Sequence, residues 1–74
     1  MTREEYLSIR NNPLSSDTTP VLHFYYNSLA RTKLNYREFY TLFNNWMFKI
    51  GAFQSLGSIN GYVFVKLDKY FSVN

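Results

Sequence analysis

Basic and amide side chains offer the most specific chemistry in this sequence. Three of the eight Lys and Arg residues lie close together, at positions 31–37, and two more lie near the C-terminus. Lysine and arginine bind nucleic-acid phosphates, and asparagine can pair with adenine through two hydrogen bonds in the major groove. The alternative is a solvated polar face with scattered charges. The sequence therefore predicts a nucleic-acid-binding surface made up of Arg31, Lys33, Arg37, Thr41, Asn44, Asn45, Lys66 and Lys69.

The residues that usually carry catalysis are few and poorly spaced. The chain has no cysteine, which excludes a disulfide, a thiolate nucleophile and a cysteine-ligated zinc or iron–sulfur site. His23, the single histidine, has no nearby acid at metal-ligand spacing. The serines lack the context of a nucleophile elbow, and the five acids form no recognisable catalytic pair. We expect no enzymatic activity, no metal, no cofactor and no small-molecule substrate.

Aromatic side chains point to a second kind of function. They make up 20% of the chain, as seven Phe, seven Tyr and one Trp. This number is high for one small core, and exposed aromatic patches are typical of interfaces. Trp46 and Phe48 are therefore predicted to contact a partner protein or a second copy of the chain. The alternative is that the rest of the chain covers both side chains.

The first of the elements that must position these residues is a short helix at 3–11. Thr2 can cap it, and Glu5 stands three residues later, which is the spacing of a capping box. Arg10 suits the negative end of the helix dipole. Pro13 disfavours helical geometry in the residue before it, so the helix should end there.

Residues 12–19 are rich in turn formers and predict a loop, after which a second helix begins. Thr19 is its predicted N-cap and Pro20 its first residue, where the missing N–H of proline is harmless. The helix is predicted to end near 31–33, where cations suit a C-terminus. Its apolar residues recur at helical spacing, at Leu22, Tyr25, Tyr26 and Leu29.

The third helix is predicted over 36–50. Asn35 can cap it, with Glu38 three residues later, and Gly51 follows at the usual position after a helix end. Leu42 flanks a continuous apolar pattern that recurs over four turns. The pattern consists of Tyr36, Phe39, Tyr40, Phe43, Trp46, Met47 and Ile50.

The C-terminal segment has two interpretations. Asn60-Gly61 is a strong hairpin signal, because both central residues of a type I′ turn need a positive φ. The β-branched and aromatic residues at 62–67 also favour a strand. The rival is a fourth helix with Val63, Leu67, Tyr70 and Phe71 on one face.

Residues 1–74 are therefore predicted to form one small α+β domain, mainly helical, with three helices followed by a C-terminal β-hairpin. The order of elements is similar to the layout of a winged helix–turn–helix domain, although no family motif accompanies it. In such a layout Lys66 and Lys69 would reach flanking phosphates from the wing. The alternative fold is an all-α arrangement of four helices.

Composition sets the remaining expectations. Hydrophobic residues make up 46% of the chain and charged residues 18%, with a net charge of +3, which is typical of a folded, mildly basic protein. No segment has the length and hydropathy of a signal peptide or a membrane span. We expect no membrane association and a cytoplasmic location, either in a host cytoplasm or inside a virion.

These features predict a small basic binding module. The leading hypothesis is a winged-helix-like nucleic-acid-binding regulator or accessory protein of a phage or mobile element. The alternative is a protein–protein interaction module, such as a virion assembly component or a small inhibitor that docks through an aromatic surface.

Overall fold

Four α-helices and one π-helical segment make up the secondary structure of the residues that the computed structural model describes, which are 1–12, 17–50 and 55–73. The π-helical segment, Tyr26–Ala30, directly continues the second helix. None of the described helices is long and apolar enough to cross a membrane. The α-helices are α1 (Arg3–Asn11), α2 (Thr19–Tyr25), α3 (Tyr36–Lys49) and α4 (Ser55–Tyr70).

The start of α1 has the predicted capping box. The Glu5 backbone N–H donates to Thr2 Oγ1 over 3.1 Å, and the Thr2 N–H donates to Glu5 Oε1 over 3.3 Å. Two backbone donors that a helix leaves unpaired at its first turn are thereby satisfied. The helix ends at Asn11, as the sequence predicted.

Helix α2 begins one residue earlier than predicted, with Thr18 and not Thr19 at the N-cap. The Thr18 hydroxyl makes no capping hydrogen bond, and it accepts a hydrogen bond from Asn60 Nδ2 at 3.0 Å. Asp17 Oδ1 instead accepts the Thr19 N–H at 3.0 Å, and this bond lowers the pKa of Asp17. The predicted loop lies in part outside the described residues, at 13–16.

Helix α3 matches its prediction to within one residue. The Glu38 N–H donates to Asn35 Oδ1 at 2.9 Å, so Asn35 is the N-cap, and Ile50 follows the last helical residue. Gly51, the predicted helix-ending glycine, lies outside the described residues.

The predicted C-terminal hairpin is wrong, and with it the α+β class and the winged layout. Asn60 and Gly61 lie inside α4, and the described residues contain helices and no strands, which fits the all-α alternative. Burial explains the error, because helical spacing places Ile59, Val63 and Leu67 on one face, where each is at most 1% exposed. Such packing outweighs both the strand preference of β-branched residues and the helix cost of glycine, about 1 kcal/mol.

The C-terminal end of α4 forms a Schellman motif. The Val73 N–H donates to the Asp68 carbonyl at 2.7 Å, and the Ser72 N–H donates to the Lys69 carbonyl at 3.3 Å. Ser72 has a φ of 55°, the left-handed conformation that this motif requires and that glycine adopts most easily. The motif thereby satisfies the Asp68 and Lys69 carbonyl groups, which the end of the helix would otherwise leave unpaired.

Helix α4 contacts all three other helices and is the centre of the core. The Tyr6 ring of α1 stacks on Phe71, with ring centroids 4.9 Å apart. The Tyr62 ring of α4 meets the rings of Tyr25 in α2 and Phe43 in α3 edge to face, with ring centroids 6.4 Å and 5.5 Å apart. The buried hydrophobic residues are Tyr6, Val21, Leu22, Tyr25, Phe39, Met47, Ile59, Val63 and Leu67.

A polar cluster joins α1 to α4 beside this core. Arg10 binds Asp68 with two hydrogen bonds, of 2.7 Å from Nε and 2.9 Å from Nη2. The Tyr6 hydroxyl shares its proton between Asp68 Oδ1 at 2.5 Å and the Phe64 carbonyl at 3.0 Å. The hydrogen bonds from Arg10 lower the pKa of Asp68, whereas burial, followed by the neighbouring carboxylate, raises the pKa of Tyr6.

Candidate docking surface

One side of α3 carries large apolar side chains in contact with solvent. Leu42, Trp46 and Ile50 follow one another at a spacing of four residues, so they lie along one side of the helix. They are 56%, 46% and 59% exposed. The adjacent side of the same helix packs into the core through Phe39 and Met47, which fixes the orientation of the exposed side. We call Leu42, Trp46 and Ile50 the apolar stripe.

Helix α4 extends this surface with an aromatic ring and a cation. The Trp46 ring meets Tyr62 edge to face, with centroids 5.9 Å apart. Above the Tyr62 ring lies the Lys66 ammonium, 5.4 Å from the centroid, at the distance of a cation–π contact. The apolar stripe is therefore bordered by a lysine from a different helix.

A groove that Tyr62 also lines continues the surface. It has a volume of about 480 Å³, which is within the range of about 300–1,000 Å³ typical of binding pockets. Two lysines line the groove, and among the described residues no carboxylate does. We call it the lysine groove, and its lining residues are Tyr25, Leu29, Tyr62, Lys66, Lys69 and Tyr70.

The lysine groove is positively charged, because Lys66 and Lys69 are the charged residues that line it. Burial, followed by the proximity of Tyr62, raises the pKa of Tyr25 to about 12, so this phenol is neutral at physiological pH. Lys66 and Lys69 are exposed at the end of α4. The groove therefore combines apolar walls with a positive rim.

Phe48 is separate from the apolar stripe. It is 61% exposed, but it stands two residues from Trp46, which places the two side chains on nearly opposite sides of the helix. The two predicted partner-binding residues therefore cannot serve one flat interface. The separation of Trp46 and Phe48 could have been predicted from the sequence, because residues two apart lie on nearly opposite sides of a helix.

The structure places four of the eight predicted nucleic-acid-binding residues in two separate concavities. Lys66 and Lys69 line the lysine groove, whereas Arg37 and Thr41 line a concavity of about 390 Å³ that also contains Glu38. The Thr41 hydroxyl donates to the Arg37 carbonyl over 3.0 Å, so its proton is engaged within the helix. The Glu38 carboxylate would repel a phosphate placed beside Arg37.

The other predicted nucleic-acid-binding residues lie outside both concavities. Arg31, with a φ of 40°, donates from Nε to the Asn27 carbonyl at 2.9 Å. Lys33 and Asn45 are exposed. Asn44 is half-buried, and its Oδ1 is buried without a hydrogen-bond partner among the described residues. The predicted wing is absent, so α4 and not a hairpin carries Lys66 and Lys69.

A third concavity lies between the start of α1 and α2. It has a volume of about 470 Å³, and its lining includes Glu5, Asp17 and His23. The His23 imidazole stacks on the Tyr36 ring, with ring centroids 3.8 Å apart. Within the described ranges, no group of three or more His, Asp or Glu side chains could hold a metal ion.

Sequence reasoning missed several residues of the docking surface. Ile50 was assigned to the apolar pattern of the third helix but not to the predicted partner surface, yet it is exposed. Leu29 and Tyr70 were expected on apolar helix faces, but they line the lysine groove. The spacing of Leu42, Trp46 and Ile50 was the available signal, because it describes a second apolar side on the same helix.

Comparison with known proteins adds no further constraint on this surface. No protein-family model, no curated protein and no solved structure matches the chain.

Proposed function

We propose that this protein is a protein-interaction module that docks on a partner protein through the apolar stripe and the adjoining Tyr62. The observation that carries the proposal is the exposure of Trp46, the single tryptophan, between two exposed aliphatic side chains. Isolated apolar residues on a surface are ordinary, but a contiguous apolar patch is typical of an interface. Tryptophan is also among the residues that contribute most to binding energy when a partner covers it.

The balance of charge and apolar surface favours a protein partner over a nucleic acid. Two lysines in the groove would neutralise two phosphates, and each neutralised phosphate contributes only about 0.9 to the salt slope of DNA binding. Leu42 and Ile50 offer nothing to a phosphate backbone, whereas both can be buried by apolar side chains of a protein. Nucleic-acid binding by the sequence-predicted residues stays a prediction and is the competing outcome of the tests below.

The docking role can be tested by photo-crosslinking in the source cells. A photoreactive amino acid at position 42 should crosslink to a defined protein partner, whereas the same amino acid at position 8 should not. Ser8 is a matched control, because it is exposed and lies on α1, whose contacts with α4 are at Phe64 and Asp68 and not at Tyr62. The affinity of the purified partner is then measured by the emission of Trp46.

Two further substitutions test the role of the apolar stripe in that affinity. Leu42→Lys should weaken binding of the crosslinked partner at least about tenfold, because it places a charge within an apolar interface. Ser8→Lys should leave the affinity unchanged. Both sites are exposed, so thermal unfolding of either variant should match the wild type. Equal affinity of the two variants would contradict the proposal, as would crosslinks that are no more specific at position 42 than at position 8.

A further inference from the structure

We infer that the lysine groove receives an acidic amphipathic helix of the partner protein, an inference that rests on the proposed docking function. Tyr62 is shared by the two parts of the surface, because it contacts Trp46 of the apolar stripe and also lines the lysine groove. A single ligand can therefore cover the apolar stripe and the groove together.

Charge complementarity identifies the sign of the ligand. Lys66 and Lys69 both line the groove, and the described lining residues provide no carboxylate to balance them. The Lys66 ammonium already lies over the Tyr62 ring, which holds it beside the apolar wall. Carboxylates on the edge of a docked segment would pair with both lysines, and such pairs favour the correct partner and speed association.

The spacing of the apolar residues indicates a helical ligand. The three residues of the apolar stripe stand at i, i+4 and i+8, so they form one ridge on the helix surface. A ridge of this kind packs into the groove between two rows of side chains on another helix. The described residues form no strand, so they offer no sheet edge to which an extended peptide could add. An amphipathic helix with apolar residues on one face and acidic residues along its border fits both features.

A second copy of the chain is a poorer occupant than an acidic helix. The chain has a net charge of +3, with eight basic residues against five acidic ones. Self-association would bring two positive surfaces together and would leave the lysines of each groove facing a basic protein. The inferred partner is therefore a different protein.

The test uses three synthetic helical peptides without tryptophan. Each has about 20 residues, long enough for an isolated helix, and the same leucine face. They differ only in the flanking residues, which are Glu, Gln or Lys. Binding to the wild-type protein is followed through Trp46 emission. We expect the Glu peptide to bind roughly three- to tenfold more tightly than the Gln peptide, and the Lys peptide to bind most weakly.

Matched charge variants locate the effect. Lys66→Glu/Lys69→Glu should abolish the preference for the Glu peptide, and the milder Lys66→Gln/Lys69→Gln should reduce it. Arg3→Glu/Lys33→Glu lowers the net charge by the same amount at exposed residues that line none of the three concavities described above, so it should keep the preference. Circular dichroism checks that each variant retains the wild-type helix content.

The outcomes separate this inference from the proposed function. Equal binding of the Glu and Gln peptides, with both weakened by Leu42→Lys, overturns the acidic helix and leaves the docking function standing. No binding of any peptide overturns the inference, and the docking function is then judged by the crosslinking experiment alone. A single-stranded oligonucleotide that binds more tightly than the Glu peptide, and loses affinity in Lys66→Glu/Lys69→Glu, would assign the groove to nucleic acid.

Discussion

Asp68 is the residue on which the contact between α1 and α4 depends most. Its carboxylate accepts two hydrogen bonds from Arg10 and one from Tyr6, which are one turn apart on α1. The Arg10 and Asp68 side chains are 39% and 19% exposed, so water screens the pair only in part. A charged pair with this two-point geometry contributes more than an ordinary surface salt bridge.

The hydrogen bonds of Asp68 predict an acid-dependent loss of stability. Because Arg10 lowers the pKa of Asp68 in the folded state, the stabilisation is complete above the unfolded pKa of about 3.9 and is lost as the pH falls below it. Asp68→Asn should therefore lower the free energy of unfolding by about 1–2 kcal/mol at pH 7. The difference from the wild type should shrink progressively as the pH falls below that unfolded pKa, as measured by urea denaturation across the pH range.

Glu4→Gln is the matched control for this pH dependence. Glu4 is an exposed acid in the first turn of α1, where a negative charge contributes only a few tenths of a kcal/mol. The Glu4→Gln substitution should have little effect on how the free energy of unfolding falls at acidic pH. A constant difference between Asp68→Asn and the wild type from pH 2 to pH 7 would contradict the role assigned to the carboxylate.

At the scale of the elements, α4 is a helix that contains residues unfavourable to helices. Gly57 and Gly61 both lie within it, and an added Cβ at either position would meet no atom within 4 Å. Neither glycine is required by a close approach of another part of the described chain. Their cost is offset by the buried face of the same helix.

This arrangement predicts that Gly61→Ala stabilises the protein. Gly61 lies in the middle of α4, so the substitution should raise the free energy of unfolding by about 1 kcal/mol. Gly57→Ala should give a smaller gain, because Gly57 lies in the first turn of the helix. Chemical denaturation monitored by circular dichroism measures both. A loss of stability in Gly61→Ala would contradict the open space found around Gly61, because it would mean that the added methyl group meets other atoms.

The end of α4 gives a second prediction at this scale. Ser72 adopts a positive φ of 55° in the Schellman motif, a conformation that costs a residue with a side chain about 1–2 kcal/mol relative to glycine. Ser72→Gly should therefore stabilise the protein by about 1 kcal/mol in thermal and urea unfolding. Ser72→Ala should give no such gain, because alanine retains the Cβ. Equal effects of the two substitutions would rule out the backbone explanation.

At the scale of the whole molecule, stability depends on the residues through which α4 contacts its neighbours. Leu67 and Val63 are fully buried, whereas Val65 on the same helix is 59% exposed. A chain of 74 residues buries a smaller fraction of its surface than a larger domain, so each buried side chain carries a larger share of the stability. The two sides of α4 should therefore respond very differently to truncation.

Leu67→Ala should lower the free energy of unfolding by about 3 kcal/mol and the melting temperature by roughly 15 °C. The reason is the loss of apolar contacts together with the cavity that remains. Val65→Ala should change the free energy of unfolding by no more than about 0.5 kcal/mol. Differential scanning calorimetry compares the two, and similar melting temperatures for both variants would contradict the central position of α4.

The candidate site was predictable only in part. Trp46 was predicted to contact a partner, and Lys66 and Lys69 were predicted to supply positive charge. The sequence did not indicate that these residues are neighbours, because they belong to different helices. They lie together because Tyr62 packs against Trp46 on one side and under Lys66 on the other. That arrangement depends on how α3 and α4 pack.

The sequence by itself determined the helix starts at Arg3 and Tyr36. Each is set by a cap and an acid three residues later, as in Thr2 with Glu5 and Asn35 with Glu38. Hydrogen bonds between residues so close in the chain depend little on how the rest of the molecule packs. Local signals of this kind can therefore be interpreted without knowledge of the fold.

Only the tertiary structure decided the conformation of the C-terminal segment. Asn60-Gly61 is locally suited to a turn, and its neighbours are suited to a strand. In the folded chain Asn60 is buried against Thr18, and Ile59, Val63 and Leu67 fill the space between the other helices. Burying this apolar face contributes several kcal/mol, whereas turn and strand propensities differ by about 1 kcal/mol, so packing and not local preference makes the segment a helix.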